Sequence, residues 1–477
     1  MEKPYCACAT PPGISGIAVI RMAGEGSAEV CDRVFSLKRA FSEAKSVKEM
    51  SGYTVAYGLI HDPASSEIID EVLVTRFCAP HSYTGEDSVE ISCHGGVTVR
   101  QEILRVLLEN GARMAEPGEF TRRAFMAGKI DLSQAEAVMD VIASDSELAL
   151  RAAESQLQGT LRSQIRKISE ELYVTFAALE MLIDEPDDED AAAMFSSNAD
   201  ALAAVREKMQ SLINTYRQGR ILSERMSVVI CGIPNSGKSS LLNCLSGYDR
   251  AIVTNVPGTT RDTLEVVTSM GGVPVRLIDT AGIRRTEDPV EAIGVSRAED
   301  ALWEADIVLW LVSSEEDYEQ NIEMLTTVMN LPSETKVGLL ISKSDCTSKE
   351  ACEALHEKIL SDMKEKECKR SADYYEVISS VSREGIEGIE KFVRETYESL
   401  GTDHARGVML TNQRHYALLT SAAEKLDRCI GLLRSGSSPE EPSLILRTAM
   451  EDLGEITGDS VSDALVQTIF SRFCVGK

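Results

Sequence analysis

The spacing of apolar residues changes along the chain and predicts more than one kind of region. In residues 1–118, apolar runs that stop at glycines, such as 16–24 and 88–96, are typical of strands. Residues 99–111 carry helical spacing up to a glycine. From about 120 to 220, apolar side chains recur every three or four positions, as on one face of a long helix. That face is defined by Leu157, Leu161, Ile165, Ile168 and Leu172.

The second half of the chain begins with alternation between strand-like and helix-like segments. This alternation covers 225–398 and predicts a parallel sheet flanked by helices. After 405 helical spacing returns and continues to a last helix, which we expect Ser460 to cap with Asp463 three residues on. Its apolar face is predicted to hold Val461, Leu465, Ile469 and Phe473, with Val466 and Phe470 beside them. The simplest organisation is a helical domain interrupted by an inserted α/β domain.

Composition and charge limit the classes of protein that fit. At 477 residues the chain has room for about three domains. No apolar run approaches the roughly 20 residues of a membrane span, and the start lacks the features of a secretory leader. Twelve cysteines lie singly, without zinc-site or disulfide-framework spacing, which predicts a reducing, cytoplasmic location. The lack of an apolar span predicts that the protein contacts no membrane. The formal net charge of −27 repels phosphate backbones, so a partner or a local patch must supply much of any grip on RNA.

One segment carries the strongest chemical signal. An apolar strand at 226–231 leads into the spacing Gly232-x-x-x-x-Gly237-Lys238-Ser239, and helical spacing follows. Such glycines let backbone N–H groups surround phosphates, the lysine neutralises charge, and the serine hydroxyl binds Mg²⁺. The alternative is a glycine-rich turn without a ligand, which does not account for the flanking strand and helix. The phosphate-binding residues are predicted to be Asn235, Ser236, Gly237, Lys238, Ser239 and Ser240.

Three downstream segments convert a generic phosphate loop into a predicted GTPase site. Thr260, in "GTTRD", is placed to complete the magnesium shell and to sense the γ-phosphate. A strand ends at Asp279, and the N–H of Gly282 can then contact the same phosphate. Another strand leads to Lys343 and Asp345, whose carboxylate can accept hydrogen bonds from both N–H groups of guanine. Further nucleotide contacts are predicted at Thr254, Asn255, Val256, Pro257, Gly258, Thr259, Thr280, Ala281, Ser342, Ser379, Ser380 and Val381.

Two positions depart from the usual pattern of such sites. Ser342 stands where guanine motifs usually have asparagine, and we expect its shorter hydroxyl to lose a link to the phosphate loop and to weaken nucleotide binding. Ile283 stands where Ras-like enzymes have a glutamine that orients the attacking water, which isoleucine cannot do. Asn235 and the loop 254–259 offer several oxygen ligands. A monovalent cation beside the phosphates is therefore a hypothesis for the missing catalytic charge.

Segments spread over nearly the whole chain resemble the MnmE (TrmE) family of tRNA modification GTPases. They are "ATPPGISGIAVIRMAG", "SYTGEDSVEISCHGG", "PGEFTRRAFMAGKIDLSQAEAV", "GIPNSGKSSLLN", "GTTRD", "DTAGIR" and the terminal "FCVGK". The resemblance implies an α/β plus all-α fold: an N-terminal α+β folate-binding domain that dimerises, a discontinuous helical domain and an inserted Ras-like P-loop GTPase domain. The corresponding boundaries are predicted as 1–119, 120–222, 223–398 and 399–477.

The resemblance also implies ligands for specific residues. Potassium would be held by Asn235, Thr254, Val256 and Thr259, and magnesium by Ser239 and Thr260. Glu291 matches the family's water-activating glutamate, and its alternative is a solvated acidic residue in a loop. Reduced folate, as 5,10-methylenetetrahydrofolate or a 5-formyl analogue, would be bound by Arg21, Glu90, Lys129 and Lys477.

The C-terminal "FCVGK" is expected to present Cys474 and Lys477 to the folate site, with Cys474 either a nucleophile or a packing thiol. The chain has no dinucleotide fingerprint, although building a base modification from a folate one-carbon unit needs a redox step. The resemblance therefore implies a homodimer that binds the family's FAD-dependent partner MnmG as a heterotetramer and acts on tRNA. The predicted product is a carboxymethylaminomethyl or aminomethyl group on C5 of the wobble uridine. A GTP switch in ribosome assembly and a folate-dependent transferase that merely carries a GTPase are the alternatives.

Overall fold

The computed structural model describes residues 2–40, 44–184, 191–247, 264–280, 300–313, 318–366, 370–402 and 408–476. The chain divides into two compact units, each made of more than one segment. The first unit comprises Met1–Ala143, Glu154–Gln210 and Ala417–Lys477, and the second comprises Ser144–Ala153 and Ser211–Tyr416. The boundaries predicted at 119/120, 222/223 and 398/399 stay a prediction, because each unit runs across at least one of them.

Seven strands in the described part of the first unit form one sheet. They are β1 (Tyr5–Cys8), β2 (Ser15–Ala23), β3 (Phe35–Ala40), β4 (Thr54–His61), β5 (Ile68–Phe77), β6 (Ser88–Gly95) and β7 (Arg113–Met114). Their order is β3-β4-β5-β6-β2-β1-β7, and neighbours are antiparallel except for β1 and β7. The helices α1 (Ser27–Val34) and α2 (Val97–Glu109) and a 3₁₀ turn (Val47–Glu49) follow strands of this sheet. The strands predicted at 16–24 and 88–96 and the helix at 99–111 are confirmed.

The two faces of this sheet differ in how they are covered. Side chains alternate between the faces along each strand, so Ile20 is buried in the same apolar cluster as residues of α2, whereas Arg21 points to the other face. On that second face the register pairs Tyr57 with Leu73 and Leu73 with Ser92. Tyr57 and Leu73 are 37% and 48% exposed, so this face presents apolar side chains to its surroundings.

Helices make up most of the described residues beyond the first sheet. Before the second sheet these are α3 (Glu119–Met126), α4 (Leu132–Ala143), α5 (Glu147–Leu157), α6 (Thr160–Asp184), α7 (Ala191–Ile213) and α8 (Tyr216–Glu224). The helical face predicted through residues 157–172 is confirmed for α6, which buries Leu161, Ile165, Ile168 and Leu172. The prediction was wrong for Leu157, which ends α5, because the chain turns at Gly159 with a φ of +80°.

Six strands in the described part of the second unit form the second sheet. They are β8 (Met226–Gly232), β9 (Leu264–Met270), β10 (Val273–Asp279), β11 (Ile307–Ser313), β12 (Lys336–Ser342) and β13 (Tyr374–Val377). Its helices are α9 (Lys238–Ser246), α10 (Tyr318–Met329), α11 (Lys349–Glu365) and α12 (Ile386–Thr402). The order is β13-β12-β11-β8-β10-β9. The predicted parallel sheet is confirmed except at its edge, where β9 runs antiparallel to β10.

The chain ends in three helices, and the last of them begins later than predicted. These helices are α13 (Gln413–Arg434), α14 (Glu440–Thr457) and α15 (Asp463–Phe470). Ser462 caps α15 by accepting a hydrogen bond from the Leu465 N–H, whereas the Ser460 hydroxyl donates to the Glu451 carbonyl. The buried residues of α15 are Val466 and Phe470, and they cluster with Phe473 just beyond the helix, with Val461 and Ile469 partly buried against them. Among the described helices, none has the length and apolar character that crossing a bilayer requires.

Candidate functional site

A phosphate-binding turn joins β8 to α9 in the second unit. Gly232 lies where a Cβ atom would come 2.6 Å from the Leu311 carbonyl oxygen and 2.7 Å from the Ser236 hydroxyl, so only glycine fits. Gly237 precedes α9 with a φ of +101°, and Asn235 also has a positive φ, of 68°. These conformations direct the turn around the N-terminus of α9, where backbone N–H groups and the helix dipole favour an anion.

Lys238 is held inside this turn. Its side chain is buried, and its ammonium group donates to the carbonyl oxygens of Gly232 and Ile233, each at 2.9 Å. The two carbonyl oxygens that accept its hydrogen bonds hold the ammonium group at the place where an anion would bind. The predicted position of Lys238 in the phosphate loop is therefore matched by a fixed charge in the folded chain.

The ends of α9 and β10 meet beside the turn. The Ser239 hydroxyl donates to the Asp279 carboxylate at 3.0 Å, which brings together a predicted magnesium ligand and a buried acid. The other carboxylate oxygen of Asp279 and the Ser236 hydroxyl are buried and have no hydrogen-bond partner within the described residues. Buried polar atoms are costly unless something satisfies them, so this pair of atoms fits a site for a hydrated cation and a phosphate.

The base-recognition side of the site is built from the ends of β12 and β13. The Ser379 hydroxyl donates to Asp345 at 2.7 Å, and this bond is the main reason that the pKa of the Asp345 carboxyl lies below its ordinary value. Asp345 is therefore ionised at neutral pH and exposed, with a carboxylate ready to accept the N–H groups of guanine. Ser379 was predicted as a nucleotide contact, but its side-chain hydrogen bond to Asp345 was not, because serine is common in loops.

Ser342 does not behave as expected. Its hydroxyl donates to the Ser236 carbonyl oxygen at 2.7 Å, so the link between the guanine side and the phosphate loop is retained. The expectation of a lost link was wrong because β12 and the phosphate loop approach closely enough for a short side chain to bridge them. Ser342 is 4% exposed, so the bridge it makes is buried.

Some of the other predicted site residues are described by the structure, and the rest lie outside the described residues. Thr280 donates from both its hydroxyl and its N–H to the Ile230 carbonyl, which fixes the end of β10 to β8. Ser240 and Val381 are exposed, Ser380 is half-buried, and Lys343 has a φ of 62°. Outside the described residues lie Thr254, Asn255, Val256, Pro257, Gly258, Thr259, Thr260, Ala281, Gly282, Glu291 and Lys477.

Two of the predicted folate residues meet on the second face of the first sheet. Arg21 and Glu90 are opposite each other on β2 and β6, and both Nε and one terminal nitrogen of Arg21 lie 2.8 Å from Glu90 Oε1. The Arg21 guanidinium also lies 5.5 Å from the ring centre of Phe120 and 5.6 Å from that of Tyr83. Lys129 is exposed, with its side chain close to Gly85, two residues after Tyr83.

Cys474 lies elsewhere in the first unit. Its carbonyl accepts the Gly118 N–H at 3.4 Å, and Val475 pairs with Pro117. The residue is exposed and lines a cavity on the side of the sheet that carries α2, whereas Arg21 and Glu90 lie on the other face. Within one chain, the described residues therefore do not bring Cys474 and the Arg21–Glu90 pair into one cavity. Cys474 is exposed in the single chain, and its role as a nucleophile or as a packing thiol stays a prediction.

Comparisons with known proteins cover the whole chain. Residues 4–129 match the family model described as the GTP-binding protein TrmE N-terminus, and residues 132–474 match the MnmE helical domain. A protein of Ligilactobacillus salivarius (strain UCC118) is 38% identical over 473 residues, which cover 99% of this chain and 97% of that one. A protein of Carboxydothermus hydrogenoformans is 37% identical over 477 residues, with both chains covered completely. Both relatives are called tRNA modification GTPase MnmE.

Solved structures resemble smaller parts of the chain. The G domain of the T. maritima FeoB iron transporter is 26% identical and covers 37% of this chain and 99% of that one, with a TM-score of 0.27. Era of Aquifex aeolicus is 22% identical over 42% of this chain and 66% of that one, with a TM-score of 0.29. Two family models that together span residues 4–474, and relatives that match from end to end, identify the family. The chain belongs to the MnmE family of tRNA modification GTPases.

Proposed function

We propose that this protein is a potassium-activated GTPase that works with an FAD-dependent partner, MnmG, to modify the wobble uridine of certain tRNAs in the cytoplasm. Hydrolysis of GTP coupled to tRNA modification is the activity of the family to which the chain belongs. One observation carries the proposal: three groups of the right chemistry lie at one phosphate loop. They are Lys238, the Ser239–Asp279 pair and the Asp345–Ser379 pair. These groups supply a phosphate-binding charge, a cation site and a guanine-specific acceptor.

The residues present fit a magnesium ion. Ser239 offers a hydroxyl ligand, and the Asp279 carboxylate beside it has an oxygen that no described group satisfies. Oxygen ligands of this kind suit Mg²⁺, which usually binds through few side chains, water and the phosphates of its nucleotide. When bound, the ion would neutralise charge on the β- and γ-phosphates, while Ser239 and Asp279 hold its position.

Asn235 fits a potassium ligand. Its side chain is exposed at the rim of the phosphate loop, and no described group pairs with its amide. The other proposed ligands, Thr254, Val256 and Thr259, and the proposed water-activating Glu291 lie outside the described residues. A monovalent cation at Asn235 would place positive charge where a Ras-like enzyme receives an arginine from another protein.

Hydrolysis rates in potassium and sodium salts of equal ionic strength test this proposal. We expect potassium to accelerate hydrolysis by roughly 10²-fold, because one fixed charge at the transition state is typically worth that much. Asn235→Ala should remove the difference between the salts, whereas Asn243→Ala, an exposed change on α9, should keep it. Equal wild-type rates in the two salts would refute the role of potassium.

A second variant tests the proposed base. Glu291→Ala should abolish turnover and leave GTP affinity nearly unchanged, because a residue that activates water contributes mainly in the transition state. Glu395→Ala, an exposed acid on α12, is the control and should keep wild-type turnover. A Glu291 variant that hydrolyses GTP normally would return this residue to the role of a solvated loop acid.

The second face of the N-terminal sheet is the proposed site for reduced folate and for dimerisation. Glu90 gives one oxygen to Arg21 and keeps the other free of any described partner, so it can accept hydrogen bonds from the donor edge of a pterin. Tyr57 and Leu73 leave the same face partly apolar and exposed. A second copy of the chain would cover these side chains, and its tail is a proposed source of further folate contacts.

Molar mass measured by light scattering tests the dimer. Leu73→Arg should give monomers, because a charge on a face that is covered in the dimer loses its hydration. Leu360→Arg, at a residue of α11 that is 37% exposed, is the matched control and should stay dimeric. A Leu73→Arg variant with the wild-type molar mass would place the dimer contact elsewhere.

The acidic character of the chain fits the proposal that the flavoprotein partner contributes most of the tRNA binding. With a formal net charge of −27, the protein repels tRNA at long range, and a flavoprotein partner would supply most of the grip and the redox step. Cys474, exposed at the C-terminal tail, is the proposed nucleophile of the modification. Cys474→Ser should leave GTP hydrolysis intact and abolish wobble modification, as measured by nucleoside analysis of tRNA.

A further inference from the structure

We propose that the cavity beside Cys474 receives the uracil base of the wobble nucleotide after the base has left the RNA stack. This inference rests on the proposed tRNA substrate and adds the place where the base binds. The cavity has a volume of about 780 Å³, which lies within the range of small-molecule sites. All of its lining residues belong to the first unit, and they come from the end of β1 and the segment after it, from α2, β7 and α4, and from the C-terminal tail.

The walls of the cavity suit the two faces of a flat ring. Pro11, Pro12, Leu104, Met114 and Ile142 contribute apolar surface. Enzymes that act on a base inside RNA or DNA take it out of the stack and hold it between apolar or aromatic groups. Ile142 and Met114 are 47% and 46% exposed, so apolar surface is open to a ligand.

The side-chain amide of Gln101 has hydrogen-bonding groups complementary to the edge of a uracil ring. Uracil presents one N–H donor between two carbonyl acceptors, and a glutamine amide offers one acceptor and two donors in the same plane. Gln101 lines the cavity, and its amide has no partner among the described residues. It can therefore accept from the ring N–H and donate to a neighbouring carbonyl without breaking an existing bond.

Arg100 holds one wall of the cavity, the segment after β1, in place before any ligand binds. Its side chain is buried, and its guanidinium donates to the carbonyl oxygens of Pro11 at 2.9 Å and Gly13 at 2.6 Å. These bonds hold the segment after β1 against α2, which keeps the cavity open without a ligand. Arg100 is thus a positioning residue, and little ordering cost is left for the moment of binding.

Cys474 is fixed at the border of the same cavity. The Gly118 N–H holds its carbonyl, and the backbone at Gly476 lies so close to the Cys8 carbonyl that a Cβ atom there would be 2.5 Å from it. These contacts keep the tail on the end of β1 and place the exposed thiol where it can reach a bound base. The pair Arg21–Glu90 lies on the opposite face of the sheet, so a base and a folate would occupy different surfaces of one chain.

Alkylation of Cys474 by iodoacetamide, followed by mass spectrometry, reports on this cavity without requiring turnover. The probes are two synthetic anticodon stem-loop RNAs, one with uridine and one with an abasic residue at the wobble position. Both are used at saturating concentration, with the FAD-dependent partner present. We expect the uridine RNA to slow alkylation about tenfold relative to the abasic RNA, in line with the typical contribution of one stacked base. Cys346, an exposed thiol of the second unit, is the internal reference and should react equally with both RNAs.

Two variants link any protection to the cavity itself. Val97→Trp fills the cavity at its α2 wall, and Gln101→Leu removes the amide but keeps the size, so both should abolish the difference between the two RNAs. Val174→Trp, at a residue of α6 that is 70% exposed, is the matched control and should keep it. A wild-type urea unfolding midpoint in every variant would show that folding is intact.

Three results would overturn the inference. They are equal alkylation rates with the two RNAs, a difference that survives both cavity variants, and protection by reduced folate alone instead of by uridine RNA. A failure of the proposed function has a different appearance, because the chain would then neither hydrolyse GTP nor be needed for wobble modification in cells.

Discussion

The phosphate loop of the second unit and the N-terminal sheet of the first place their functional residues in opposite ways. Around the phosphate loop, each chemical group follows a strand within a short motif, and the parallel strands bring these motifs to one edge of the sheet. In the N-terminal sheet, Arg21 and Glu90 are 69 positions apart in sequence, and Cys474 comes from the far end of the chain. The site at the phosphate loop can be found by local pattern, whereas the Arg21–Glu90 pair and the cavity beside Cys474 form only once the chain has folded.

This difference predicts different consequences of substitution. Around the phosphate loop, changes should act on nucleotide affinity and turnover with little effect on folding, because the surrounding strands are buried independently of the site. In the N-terminal sheet, charged side chains also hold distant segments together, so changes there should lower the free energy of unfolding. The five predictions below test that contrast, beginning with the largest expected effect on stability and continuing at the nucleotide site from the largest effect to the smallest.

Removing the buried charge of Glu119 should have the largest effect on the free energy of unfolding. This carboxylate is fully buried, accepts hydrogen bonds from Arg113 at 2.5 and 2.8 Å, and also accepts the Glu116 N–H. Glu119→Gln removes the buried charged partner of Arg113, which is then left with the exposed carboxylate of Glu2, and should lower the free energy of unfolding by roughly 3 kcal/mol. Glu116→Gln, at an exposed carboxylate paired with Arg122, is the control and should cost less than about 1 kcal/mol. Similar losses in both variants, measured by urea unfolding, would contradict the structural role of Glu119.

The same group sets a pH dependence. Burial raises the pKa of Glu119, but the hydrogen bond from Arg113 and other contacts outweigh it, so the pKa lies below its ordinary value of 4.5. A carboxyl with a lowered pKa stabilises the folded state above its unfolded value and loses that contribution as the pH falls through the folded value. Wild type should therefore lose stability more steeply than Glu119→Gln below pH 4.5. If the free energy of unfolding fell equally steeply with decreasing pH in both proteins, this assignment would be refuted.

Lys238→Ala should give the largest change at the nucleotide site. It removes the charge that the Gly232 and Ile233 carbonyls hold in the phosphate loop, and transition-state stabilisation should fall by about 2.7–4 kcal/mol, or 10²–10³ in rate. The unfolding midpoint of the N-terminal unit should not change. Lys391→Ala, at an exposed lysine of α12, is the control and should keep wild-type rates. A Lys238 variant that kept its turnover would place phosphate binding elsewhere.

Asp345→Asn should change which base is bound. The carboxylate accepts from both guanine N–H groups, whereas an amide can donate to a carbonyl at the same place on xanthine. The preference for GTP over XTP should therefore fall by about 1–3 kcal/mol, the usual value of one paired hydrogen-bond contact to a base. Competition binding with GTP, XTP and ATP measures it, and an unchanged order of affinities would remove Asp345 from base recognition.

The smallest effect is expected at Ser342. Ser342→Ala loses the hydrogen bond to the Ser236 carbonyl and should weaken nucleotide affinity by about 0.5–1.5 kcal/mol. Ser342→Asn should not tighten binding, since the serine already makes the bridge to the phosphate loop. Ser333→Ala, at an exposed hydroxyl of the same unit, should leave nucleotide affinity unchanged in the same titration. Tighter binding by the asparagine variant would restore the expectation from the sequence alone.

The residues of the phosphate loop could be predicted from the sequence, whereas other features of the two units could not, for physical reasons. Gly232, Lys238, Ser239 and Asp279 could be placed from spacing alone, because a strand, a turn and a helix fix their geometry within a few residues. The bridge from Ser342 depends on how closely two strands pack, and spacing along the chain does not contain that distance. The cavity beside Cys474 was not predicted at all, because its walls come from segments that are remote in sequence.

The most direct test of the central claim is nucleoside analysis, by mass spectrometry, of tRNA from cells that lack this protein. We predict that wobble uridines bearing carboxymethylaminomethyl or aminomethyl groups at C5 disappear, that the wild-type chain restores them, and that Lys238→Ala does not. Wobble nucleosides that persist unchanged without the protein would contradict the account.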